Sequence, residues 1–214
     1  MYLPRHFEES RIEVLHDFVR HQPFGLLVTR GPEGLAANPL PFLLDADGAA
    51  GLGTLRGHVA RANPVWREAA FDNSALVVFQ GPQGYVSPAW YPAKAEHGKV
   101  VPTWNYVMVQ ARGRLRAIDD AEWLRRLVSR LTERHEAAQA TPWAVTDAPA
   151  EFIDTMLRAI VGIEIELESL SGKWKVSQNR SAADREGVVG ALERLGTDAA
   201  RALAGQVAHP GAAH

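Results

Sequence analysis

From Thr103 to Ile118 the chain alternates with a period of two, and this pattern limits the fold more than any other stretch. One set holds Thr103, Asn105, Val107, Val109, Ala111, Gly113 and Leu115; the other holds Trp104, Tyr106, Met108, Gln110, Arg112, Arg114 and Arg116. Successive side chains of a pleated strand point to opposite faces, so this is one long strand with two unlike faces. The first face belongs to a barrel core. The second begins with Trp104 and Tyr106, which are too aromatic for free solvent. It should lie against a ligand, a second subunit or a helix.

The rest of the chain supplies partners for that strand. Residues 24–30, 35–44, 51–57, 75–79, 85–87 and 161–170 read as strands. Turn signals fall at 31–34, 45–48 and 81–84. Pro39 and Pro41 place the second of these strands at an edge or over a bulge, because proline cannot donate to a ladder. Helical spacing is visible at 11–20, 61–71, 119–136, 151–160 and 184–203, with Asn63 as a cap and Pro64 at the first helical position of the second. Residues 90–98 read as an exposed loop. Strands do not alternate with crossover helices, which argues against a doubly wound parallel sheet. The expected class is mainly β or α+β, a small antiparallel barrel with flanking helices. A length of 214 residues with 46% hydrophobic content supports one well-packed domain. We draw it over 1–190, with 191–214 as a helix end and frayed tail.

Several function classes lose their support. The chain has no cysteine, which removes disulfides, thiolate nucleophiles and cysteine-ligated metals. Its eight histidines show no close pair at metal-ligand spacing, so no metal site is expected. GxSxG, GxGxxG and the phosphate-binding loop are missing from the sequence. A net charge of −2 gives no global attraction to nucleic acid, and no helix-turn-helix signature is visible. No secretory signal is visible, and no stretch approaches the roughly 18 apolar residues of a membrane span. A cytoplasmic protein without a membrane role is the expectation.

Three stretches carry chemistry that a plain barrel does not need. His58, Arg61 and Asn63 lead into a helix start, where donors can hold a phosphate; the alternative is a simple cap and a solvated arginine. Trp104, Asn105 and Tyr106 offer rings and an amide, yet alternate residues cannot share one face of a ligand, and packing on a helix explains the rings equally well. Lys173, Lys175, Ser177, Gln178 and Asn179 form a cationic, amide-rich end to the last strand, or else an ordinary exposed loop. Arg125, Arg126, Arg130 and Arg134 share a helix with Glu122, Glu133 and Glu136, which reads as a solvated mixed-charge face. A flat, anionic, hydrogen-bonding ligand would use the first three stretches together.

In order along the chain, MYLPRHF, PFGLLVTR, LPFLLD, GHVARANPVW, FQGPQGYVSPAWYP, GKVVPTWNY and IVGIEIELESLSGKWKVSQNR resemble the PaiB family of FMN-binding negative transcriptional regulators. GHVARANP, PTWNY and GKWKVSQN are the specific elements. The resemblance implies an FMN-binding split barrel, a Greek-key antiparallel barrel that forms a homodimer with flavin at the interface. It implies phosphate donors at His58 and Arg61, a ring or ribityl lining from Trp104, Asn105 and Tyr106, and Asn38 and Asn63 among the cofactor-binding residues. Lys173, Lys175, Gln178 and Asn179 would close the site from the same or the other subunit. It also implies a DNA or regulatory-protein partner. Asn38 and Gln110 stand where the family commonly has histidine, and an amide neither titrates nor ligates a metal as imidazole does. The other function carried by such barrels is flavin-dependent oxidoreduction of a small substrate.

Overall fold

The computed structural model describes residues 1–46, 51–68 and 72–211. Its strands are β1 (Glu8–Glu9), β2 (Phe24–Gly31), β3 (Gly34–Pro41), β4 (Leu43–Asp45), β5 (Thr54–Ala60), β6 (Ser74–Val86), β7 (Thr103–Ile118) and β8 (Ile160–Lys175). The helices are α1 (Ile12–His21), α2 (Val65–Glu68), α3 (Ala93–His97), α4 (Ala121–Glu136), α5 (Ala150–Arg158), α6 (Ala182–Leu195) and α7 (Asp198–Ala208). Among the described residues one sheet runs β3-β2-β6-β7-β8-β5-β4, with β1 added on β8. The pairs β1–β8, β2–β3, β4–β5 and β5–β8 are antiparallel. The run β6-β7-β8 followed by β5 is a Greek key, three sequential strands with an earlier one returned beside the last. This is the expected antiparallel barrel sheet with flanking helices, left open. β3 ends the path, as its two prolines require.

The chain divides into two compact units, and β6, β7 and β8 contribute residues to both. The first unit takes Met1–Gln22, Phe79–Gln110 and Leu170–His214. Leu15 and Val19 of α1 are buried there, and Phe18 meets Trp174 edge to face at 5.4 Å between ring centroids. A Cβ on Gly81 would fall 2.7 Å from the Phe18 ring, and one on Gly84 would fall 3.0 Å from Leu203. The glycines at 81 and 84 therefore make room for side chains. They do not make the expected turn, and β6 runs straight through them. The helix expected over 184–203 is two: Gly196 takes a left-handed φ of 70° to end α6, and the Thr197 side chain accepts from Ala200 N to start α7. Leu203, Ala204 and Val207 of α7 are buried, so the segment after 196 packs as an ordered helix. The loop expected over 90–98 contains α3 and the buried Tyr91.

The second unit takes Pro23–Val78 and Ala111–Ser169. Asp120 caps α4, its Oδ1 accepting from Trp123 N at 2.7 Å. Leu127 and Leu131 then pack on Leu43 of β4, and Leu124 packs on Ile153 and Leu157 of α5. Truncating one such leucine to alanine removes roughly 2–5 kcal/mol of stability. The Trp123 ring lies where a Cβ on Gly162 would be, so that glycine admits the helix onto β8. Gly57 of β5 does the same for Phe42, with Pro41 O 3.0 Å from an added Cβ. The sheet here curls until the end of β3 comes up to β5. The turn expected at 45–48 and the later part of the helix expected over 61–71 fall partly outside the described residues.

Candidate functional site

The residues expected to bind a cofactor fall into two groups, one in each unit. In the second unit, Asn38 on β3 stands opposite Leu27 of β2, and opposed residues of an antiparallel pair share a face. The Asn63 amide donates to Asn38 Oδ1 at 2.8 Å, and its own Oδ1 accepts from Val65 N at 3.0 Å. Asn63 is thus the expected cap of α2 and also a tie to β3. The two amides border an open cavity of about 660 Å³, walled by Leu35, Val65, Glu33 and Glu68 among others. Carboxylates line this cavity, and no lysine or arginine does.

The expected phosphate donors of the second unit are engaged elsewhere. Arg61 donates through Nη1 and Nη2 to both carboxylate oxygens of Asp119, at 2.7 and 2.5 Å. It donates again to Arg158 O at 2.6 Å and to Ile160 O at 3.1 Å. A guanidinium so committed to a carboxylate and two carbonyls ties the end of α5 to the start of α4. His58 lies on β5 opposite Gly162, the face that α4 covers with Trp123. Burial pushes the His58 imidazole below its ordinary pKa. The arginines of α4 are paired as well: Arg125 with Asp154, Arg126 with Glu122 and Arg130 with Asp45. That face is mixed in charge, as expected.

The first unit gathers the other group. Trp104 is 49% exposed, donates from Nε1 to Gln83 Oε1 at 3.2 Å, and meets Tyr85 edge to face at 6.4 Å. With Tyr106, Gln80 and Met108 it lines an open hollow of about 250 Å³. Lys173 and Lys175 both stand over the Tyr106 ring, their Nζ atoms 5.5 and 5.9 Å from its centroid. Lys173 Nζ donates to Tyr2 O at 3.0 Å; Lys175 Nζ donates to Thr103 Oγ1 at 2.8 Å and Trp104 O at 2.9 Å. Every one of these acceptors is neutral.

Asn105, Gln178 and Asn179 do not stand with the rings. Asn105 is 1% exposed, and its amide donates to Ser177 Oγ at 2.9 Å. Gln178 folds back on the main chain, accepting from Val176 N at 2.8 Å and donating to Trp174 O. Asn179 is exposed. Tyr91 is a residue that sequence reasoning missed. It is buried under the guanidinium of Arg180, 4.8 Å from its ring, and its hydroxyl lacks a hydrogen-bond partner among the described residues. Burial raises the Tyr91 pKa, with Arg180 acting against it. Only the aromatic sequence SPAWYP signalled it, and that run reads as loop.

FMN needs a surface for its ring, hydrogen bonds for its ribityl chain and a cation for its phosphate. The first unit's group offers rings, glutamine amides and two ammonium groups held by neutral oxygens. It fits the ring and the anion. The second unit's cavity has the volume of a small-ligand site and the amides of Asn38 and Asn63. Beside Glu33 and Glu68 it fits a neutral, hydrogen-bonding portion of a ligand and does not fit a phosphate.

A family model described as "Putative FMN-binding domain" matches residues 1–169. An uncharacterized protein of Emericella nidulans is 34% identical over 99% of this chain and 98% of its own length. The protease synthase and sporulation protein PAI 2 of Bacillus subtilis is 31% identical over 90% of this chain and 89% of its own. Among solved structures, the flavocytochrome Anf3 from Azotobacter vinelandii superposes with a TM-score of 0.59 at 12% identity, covering 81% of this chain and 72% of that one. That last likeness shows the fold. The match over 1–169 and the PAI 2 similarity show the family, and the chain belongs to the FMN-binding domain family that includes PAI 2.

Proposed function

We propose that this chain is a PaiB-type regulator, a homodimer that represses transcription in response to bound FMN. The observation that carries the reading is its 31% identity with PAI 2 over 90% of the chain, together with the exposed Trp104 and the ammonium groups beside the Tyr106 ring. Trp104 and Tyr106 contact the ring, and Lys173 and Lys175 neutralise the phosphate. Gln178 braces the strand end that carries Lys175, and Arg61 braces the second unit. FMN supplies reversible reduction, which alters the charge of the ring. A protein that prefers one redox form then has a source of differential affinity.

An exposed apolar stripe supports the homodimer. Phe24 (65% exposed) and Leu26 lie on one face of the β2–β3 pair with their partners Pro41 and Pro39, and Leu35 (80% exposed) continues it opposite Arg30. Light scattering of wild type and Phe24→Asp checks this, with a dimer and a monomer expected. DNA or a protein is the downstream partner. No helix among the described residues is long and apolar enough to cross a membrane, in keeping with a proposed place in the cytoplasm.

The first test is the visible spectrum of purified protein before and after adding FMN and desalting. Flavin absorbance that stays with the protein upholds the reading. Absorbance lost on desalting, with no binding in a titration, sinks it. The second reading is a flavin-dependent oxidoreductase, favoured by one feature: the hollow beside Trp104 and Tyr106 is open and leaves space for a small substrate. NAD(P)H oxidation by the FMN-loaded protein separates it from the regulator.

A further inference from the structure

Ser177 has a backbone φ of 68°, the one non-glycine residue among those described in the left-handed region. Left-handed backbone is strained for a residue with a Cβ, and such strain persists only where surrounding structure enforces it. Here the enforcement is visible. Gln178 closes the turn by bonding both Val176 N and Trp174 O. Asn105 reaches from β7 to hold the Ser177 hydroxyl. Two residues before Ser177, the Lys175 ammonium is fastened to Thr103 Oγ1 and Trp104 O, again on β7. The PTWNY and KWKVSQN motifs are therefore joined inside one unit by three side-chain bonds.

Resting on the FMN reading above, we propose that Ser177 and Asn105 are positioning residues. They lock the end of β8 against β7 so that Lys175 stands preformed over the Tyr106 ring, ready for the flavin phosphate. Neither touches the ligand, since Ser177 is 3% exposed and Asn105 1%. Their work is to spare FMN the entropy of ordering a long lysine side chain. The local conflict fits that role: glycine at 177 would relieve the backbone but would abolish the bond to Asn105.

Ser177→Gly makes the test. Glycine relieves the left-handed backbone and leaves the buried Asn105 amide without its acceptor, so the two effects oppose each other in stability while the tie that positions Lys175 is lost. FMN titrations are run on wild type, Ser177→Gly, Lys175→Met and the double variant, with melting of each FMN-free protein in parallel. We expect Ser177→Gly to melt no lower than wild type yet to bind FMN roughly tenfold more weakly, the worth of one charge-assisted hydrogen bond. Lys175→Met should lose a similar factor, and the double variant no more than Lys175→Met alone, because both act through one ammonium. Wild-type affinity in Ser177→Gly overturns the proposal. So does a loss that adds fully to that of Lys175→Met, or one accompanied by a matching fall in melting temperature. If wild type itself binds no FMN, the failure lies with the FMN reading, and the inference falls with it.

Discussion

Arg61 and Lys175 are both cations at the end of a strand, and their surroundings differ in kind. Arg61 meets a carboxylate and two carbonyls, so its charge is already neutralised by Asp119. Lys175 meets a hydroxyl and a carbonyl, neutral oxygens that orient it without cancelling its charge. Lys173, bonded to Tyr2 O, repeats the pattern. A cation anchored by neutral acceptors keeps its field for an incoming anion; one paired with an acid needs that pair broken first. Sequence treats both as lysine or arginine near a motif. The difference lies in partners 58 to 99 positions away for Arg61 and 71 to 72 away for Lys175.

The comparison breaks or sharpens first on FMN affinity. Replacing Lys173 and Lys175 together by methionine should weaken FMN binding by at least about a hundredfold, on the order of 1.5–3 kcal/mol for each charged hydrogen bond lost. It should also flatten the salt dependence of binding. Arg61→Ala should leave affinity within about twofold, a change worth under half a kcal/mol, while lowering the melting temperature. Isothermal titration at two salt concentrations reads both. A large affinity loss in Arg61→Ala would return it to the phosphate and dissolve the distinction.

Acid stability comes next. Around Asp45 and Glu164 the second unit carries a network with Arg56, Arg116 and Arg130. The hydrogen bond from Arg130 lowers the Asp45 pKa against the cost of burial, and Arg56 adds to it. Burial raises that of Glu164, but bonds from Arg56 and Arg116 outweigh it. Both carboxyls therefore titrate below their ordinary values in the fold. Their contribution is fully present above the unfolded values of 3.8 and 4.5, and is lost as pH falls through the lower folded ones. Urea unfolding should show stability falling below about pH 4.5, and Asp45→Asn should flatten that limb. Among the described residues, Lys173 and Lys175 bond neutral oxygens and form no salt bridge whose acid could be lost.

Alternation made much of the architecture legible. It marked β7 to the residue, and it put Asn105 on the buried face opposite Trp104 and Tyr106. That placement already implied that the three could not line one surface, and the structure gives Asn105 to Ser177. The prolines of β3 announced an edge, and Asn63 announced its cap. Glycine misled where it served packing: Gly81 and Gly84 read as a turn because a strand seldom needs them, and only the arrival of Phe18 and Leu203 explains them. Ser177 could not be foreseen, since serine carries no left-handed signature and its conformation is imposed by distant bonds. The residue types of the candidate site were therefore visible in the sequence, and the bonds that arrange them were not.

The smallest effect concerns His58, which the helix-entry motif offered as a phosphate donor. A donor to phosphate would have its pKa raised, and FMN binding would then strengthen as the ring gained a proton. In the fold burial lowers the pKa instead, because the face of β5 it occupies is covered. Below its ordinary value of 6.5 the unfolded chain takes up a proton that the folded chain resists, so His58 costs stability as pH falls through that range. His58→Gln should remove that slope between about pH 7 and 5 while leaving FMN affinity unchanged across it. NMR titration of the imidazole decides between the two accounts: a midpoint below 6.5 that is insensitive to FMN keeps His58 with Arg61 among the structural ties, and one that rises on adding FMN moves it to the side of Lys175.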